Sequence, residues 1–106
     1  MKARLRSVLA SLRARLEQLY GDRLVKLILY GSQARGDAEP GSDIDVLVVL
    51  KGEVQPCQEI ERTGDIVAST SLDNNVVVAC VFVSEDRYAN EWNPLLANVR
   101  KEGVAV

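Results

Sequence analysis

Gly31-Ser32 closes one apolar run and Ser42-Asp43-Ile44-Asp45 opens another, with ten residues between Ser32 and Asp43. Side chains two apart on a strand point to the same face, so Asp43 and Asp45 converge if they head a strand. Converging carboxylates repel each other unless a cation or a guanidinium lies between them. Glycine lets a backbone approach an anion closely, and the Ser32 hydroxyl adds a donor. Two carboxylates beside a backbone nest of phosphate size are what a magnesium-bound nucleotide requires. The plainer alternative makes Gly31-Ser32 a turn, Asp43 a cap and Asp45 the partner of Arg35. The segment Tyr30-Gly31-Ser32-Gln33-Ala34-Arg35-Gly36 suits strand, tight turn and helix start. It is neither a Walker A loop, since no Gly-Lys-Ser/Thr follows, nor a G-x-G-x-x-G turn.

The totals narrow the rest of the chemistry. The chain has 106 residues, 47% hydrophobic and 26% charged, which is ordinary for one globular domain spanning 1–106. It contains no histidine, which removes histidine general bases, Ser-His-Asp triads and the usual His-containing zinc sites. Cys57 and Cys80 lack a C-x-x-C spacing, and a reduced cytosolic pair is the expectation. No signal peptide is evident and no apolar run approaches the ~20 residues that span a bilayer, so a cytoplasmic, non-membrane protein is expected. A net charge of −2 gives no general case for binding nucleic acid. The arginines of the first stretch read as a solvated helix face.

These residues must be positioned by alternating helices and strands. Leu5, Val8, Leu9, Leu12, Leu16 and Leu19 recur at helical spacing, and Gly21-Asp22 ends that helix. Leu24–Tyr30 and Ile44–Leu50 read as buried strands, with a short helical turn and loop over Gly31–Gly41 between them. A helix is expected over Cys57–Leu72, a turn at Asp73-Asn74-Asn75, and a third strand over Val76–Val83. Ser84 caps a short helix, and Asn93-Pro94 starts a last one that Gly103 stops. Trp92 and Tyr88 are expected to cover a helix packing surface. The order is α-β-α-β-α-β-α-α: an α/β (α+β) fold with a three-stranded mixed sheet covered by helices. The long helical link makes strands two and three parallel.

Gly31-Ser32, ten residues and Asp43-Ile44-Asp45 resemble the signature of the DNA polymerase beta-like nucleotidyltransferase superfamily. The stretches Leu29–Gly36 and Ser42–Val48, and the tail Asn93-Pro94-Leu95-Leu96…Val99–Gly103, resemble its minimal nucleotidyltransferase (MNT) branch. The resemblance implies magnesium-dependent transfer of a nucleoside monophosphate, AMP from ATP, to an acceptor hydroxyl. By position, Asp43 and Asp45 would hold two Mg2+ ions. Gly31 and Ser32 would cradle the phosphates, and Arg35 and Ser42 would support the loop or the phosphate charge.

One departure stands out. Active members of the superfamily carry a third carboxylate on the third strand, whereas Val76–Val83 contains no acid. Asp73, just before that strand, is either its substitute as a third catalytic acid or a plain turn residue. Minimal chains of this branch occur with a small helical partner of the HEPN type, as toxin–antitoxin pairs. The resemblance therefore implies an antitoxin that adenylylates its partner. The alternative is a catalytically weakened module that neutralises its partner by forming a complex. Transfer to a small molecule would call for an additional acceptor domain.

Overall fold

The computed structural model describes residues 2–106. The first helix, α1, covers Ala3–Tyr20 and is followed by a single 3-10 turn at Gly21–Arg23. Strand β1 (Leu24–Tyr30) leads into the four-residue helix α2 (Ser32–Arg35), and β2 is Ile44–Leu50. Helix α3 (Pro56–Asn74), strand β3 (Val78–Ser84), helix α4 (Glu85–Asn90), helix α5 (Pro94–Glu102) and the two-residue strand β4 (Val104–Ala105) complete the chain.

The sheet order is β3-β2-β1-β4, with β2 and β3 parallel and the other pairs antiparallel. The parallel pair follows from the helical crossover α3, as the sequence pattern implies. The fourth strand is a correction to the three expected. After Gly103 the tail turns back, and Val104 and Ala105 pair with Leu29 and Ile28. Two residues carry too little pattern to announce a strand. The third strand begins at Val78 rather than Val76, because α3 continues to Asn74 and closes through a left-handed Asn75 (φ 51°).

Alternation along the strands sorts the core into two layers. Ile44, Val46, Val48 and Leu50 of β2 pack with Leu27 and Leu29 of β1 beneath α1, whose Val8, Leu9, Leu12 and Leu16 are all buried. Burying each such side chain contributes roughly 2 kcal/mol. Leu47 and Val49 face the other way, with Ile28, against Leu96 and Val99 of α5 and the half-buried Tyr88 of α4. Because both faces of β2 are covered, it reads as a continuous apolar run. Asp45 alternates with Ile44 and Val46 and so belongs to the α5 face.

Helix α3 packs on the α1 face. Its buried Glu59 accepts the Tyr20 hydroxyl at 2.7 Å and pairs with Arg23 at 3.3 Å and Arg62 at 3.4 Å. These partners satisfy a carboxylate that would otherwise be costly to bury. Burial and the adjacent Glu59 also push the Tyr20 phenol well above its ordinary range. Ser84 caps α4 by accepting the Arg87 N–H at 3.1 Å, and Asn93 caps α5 by accepting that of Leu96 at 2.9 Å. Trp92 does not cover a packing surface. It is 78% exposed, with the Arg100 guanidinium 5.4 Å from its ring centre. Among the described residues no helix is long and apolar enough to cross a membrane.

Candidate functional site

The antiparallel register sets Tyr30 of β1 opposite Asp45 of β2, so the end of one strand faces the start of the other. Gly31 follows Tyr30 with φ 77° and ψ −158°, a backbone region essentially closed to other residues. A Cβ at this position would lie 2.7 Å from Asp45 Oδ2. Glycine is thus required twice: by the turn it makes and by the carboxylate that packs against it.

The turn leads directly into α2. The Ala34 and Arg35 N–H groups donate to the Gly31 carbonyl at 3.1 Å, and Gly36, with φ 81°, ends the helix. Gln33 then ties the following loop to α2, its Nε2 donating to the Ser42 carbonyl at 3.2 Å. Ser32 therefore opens α2 while Ser42 lies on a loop fastened back to it. Gln33 was not singled out from sequence, since one amide in a polar loop carries no periodic signal.

Asp43 is exposed and Asp45 half-buried. Burial, and secondarily the negative charge of Asp43, hold the Asp45 carboxyl above its ordinary range. Burial and the Asp45 charge likewise raise the neighbouring Tyr30 phenol. The Asp43 charge thus adds to burial in disfavouring ionisation of Asp45. Arg35 does not lie between the two carboxylates. Its Nε bonds Asp37 at 3.2 Å, and its Nη1 bonds both oxygens of Glu102 at 3.1 Å. These bonds to Glu102 and Asp37 raise the Arg35 pKa. The alternative pairing of Arg35 with Asp45 is thus not the one adopted. Glu102, at the end of α5, also accepts the Gly31 N–H at 3.2 Å. Only folding brings this residue to the turn from 71 positions away.

Asp73 is not brought to the carboxylate pair. It lies in the last turn of α3, not in a turn beyond it, and pairs with Arg15 of α1 at 3.5 Å. Those helices cover the face opposite to Asp45. The β3 residue level with Asp45 is Ala79, so the β3 position in register with it carries only a methyl group. Among the described residues no three His, Cys, Asp or Glu side chains cluster so as to hold a metal. Both cysteines are free, and burial pushes the Cys80 thiol up to about 12.

The fold and this carboxylate-bearing turn define a class of α/β transferase. The chain belongs to the nucleotidyltransferase domain family, whose model matches residues 9–94. Among curated relatives, Putative protein adenylyltransferase MJ0604 of Methanocaldococcus jannaschii is 35% identical over 89 residues, covering 83% of this chain and 83% of that protein. Putative protein adenylyltransferase MJ1305 of the same organism is 31% identical over 99 residues, covering 90% of this chain and 66% of that protein. A solved toxin–antitoxin structure with AMP-PNP superposes with a TM-score of 0.63 at 17% identity, over 89% of this chain and 68% of that one. That last likeness is one of fold.

Proposed function

We propose that this nucleotidyltransferase moves AMP from ATP to a hydroxyl on a partner protein, with Asp43 and Asp45 as its metal ligands. The observation that carries the reading is the Asp43-Ile44-Asp45 pair set against Gly31, with Asp45 Oδ2 in the space a Cβ would fill. An Asp45 carboxyl whose ionisation is opposed by burial and by the neighbouring Asp43 charge fits a divalent cation, which would relieve that opposition. Bound magnesium would supply Lewis-acid stabilisation of the phosphate oxygens.

The chain's own residues do the rest. Gly31 lets the polyphosphate approach the backbone, the Ser32 hydroxyl donates to it, and Arg35 offsets its charge. Ser42, held through Gln33, keeps the loop before Asp43 in place. A protein acceptor is supported by the description of the archaeal relatives as adenylyltransferases of proteins. The toxin–antitoxin fold neighbour supports a partner in such a pair, and the MNT resemblance makes a HEPN-type protein the candidate. With Mg2+ and α-labelled ATP, the purified chain is expected to label its partner, and Asp43→Ala with Asp45→Ala to abolish the label. An unchanged rate in that double variant would sink the assignment.

Ala79 favours a second reading. With no acid on β3, the chain could bind the nucleotide yet leave the acceptor hydroxyl unactivated, and act by complex formation. Neutralisation of the partner that survives Asp45→Asn would select this reading over transfer.

A further inference from the structure

The Gly31 amide and the Arg35 guanidinium are donors that the proposed site would turn toward a phosphate, and both are already engaged. The Glu102 carboxylate accepts from each, at 3.2 Å and 3.1 Å. Its backbone is firmly placed. The Gly103 N–H donates to the Val99 carbonyl at 2.7 Å, Val104 and Ala105 pair with β1, and the Val106 N–H donates to Leu27 at 2.9 Å. Gly103 has no room for a side chain, since a Cβ there would lie 2.7 Å from Ile28 Cγ2. The Glu102 side chain, by contrast, is 21% exposed, and rotation about its own bonds would carry the carboxyl into solvent.

Carboxylate and phosphate oxygens offer these donors the same chemistry, and one set of N–H groups cannot serve both fully. The local charges sharpen the conflict. The Arg35 guanidinium is already shared by two carboxylates, those of Asp37 at 3.2 Å and Glu102 at 3.1 Å. We propose that Glu102 is a built-in competitor for the nucleotide's terminal phosphate. It holds the Gly31 turn and Arg35 in shape in the free protein, and it swings out when the triphosphate takes its place. The exchange swaps one anion for another, with no covalent bond made or broken. This inference rests on the nucleotide reading above.

Calorimetric titration of MgATP into the wild type, Glu102→Gln and Lys101→Ala tests it. Glu102→Gln keeps the shape and removes the charge, so binding is expected to tighten about tenfold. Lys101→Ala, an exposed change on the same turn, is expected to leave affinity unchanged. Equal or weaker binding by a folded Glu102→Gln protein would overturn the competition and make Glu102 a simple support. If that variant does not fold, the wild type still answers. The Glu102 carboxyl 13C resonance should move to the value of a solvated glutamate at saturating MgATP, and its staying in place would overturn the proposal. Absence of MgATP binding in wild type and variant alike would instead overturn the nucleotide reading, and the competition with it.

Discussion

Replacing Gly31 by alanine separates backbone strain from interference with the site. At φ 77° and ψ −158° a non-glycine residue costs about 1–3 kcal/mol. The new Cβ would also stand 2.7 Å from Asp45 Oδ2, where ordinary contact begins near 3.4 Å, so the carboxylate must retreat by about 0.7 Å. Asp45 can do this by rotating, which adds little to the stability loss but moves a proposed metal ligand. At about 2 kcal/mol, the midpoint of thermal unfolding should fall by roughly 10 °C for a domain of this size. Transfer should fall by about 10²-fold, the scale set by a displacement approaching 1 Å. Gly36→Ala is the control: it shares a positive φ of 81°, but its Cβ would meet nothing within 4 Å. It should lose stability without a comparable loss of nucleotide binding. A cycle of Gly31→Ala with Asp45→Ala, followed by calorimetry and MgATP binding, isolates the coupling between the two positions. Wild-type stability and activity in Gly31→Ala, or effects no different from those of Gly36→Ala, would refute the reasoning.

Asp45→Asn should stabilise the nucleotide-free protein at neutral pH. The folded protein holds the Asp45 proton more tightly than the unfolded chain does, so ionising it costs stability as pH rises through its folded pKa. The advantage of the variant should therefore grow as pH rises from the ordinary carboxylate range to the raised folded pKa of Asp45 and level off above that folded value, measured by denaturant titration across pH. Ala79→Asp places a carboxylate on β3 at the level of Asp45. If the missing acid limits the reaction, transfer to the partner should rise at least tenfold, as expected of an added general base, while a binding-only module would show no gain. Glu59→Ala should cost about 2–4 kcal/mol by stranding Tyr20 and Arg23, with MgATP affinity unchanged.

Much of the scaffold was legible in the chain because local patterns and long-range packing agree. The leucine spacing of α1, the two-sided apolar run of β2, and the Ser84 and Asn93 caps each report a local need that the fold also meets. The Gly31-Ser32 and Asp43-Ile44-Asp45 pattern was legible for the same reason, since it combines a turn requirement with a period of two. The place of Asp73 was not legible, because α3 runs two residues beyond Leu72 and proximity along the chain says nothing about which face a helix covers. Val104–Ala105 is too short to carry a pattern and exists as a strand only because β1 offers an open edge beside Gly103.

By itself, then, the sequence determined the family, the parallel β2–α3–β3 crossover, and the glycine and two carboxylates of the candidate site. Those features are encoded by residue type and short spacing. Only the tertiary structure decided that Asp73 pairs with Arg15 on the α1 side, that Ala79 is the β3 residue level with Asp45, and that Glu102 closes on Gly31 and Arg35. Each of these depends on which strands are neighbours and where a helix ends in space. Contacts between residues some 70 positions apart leave no periodic trace in the chain.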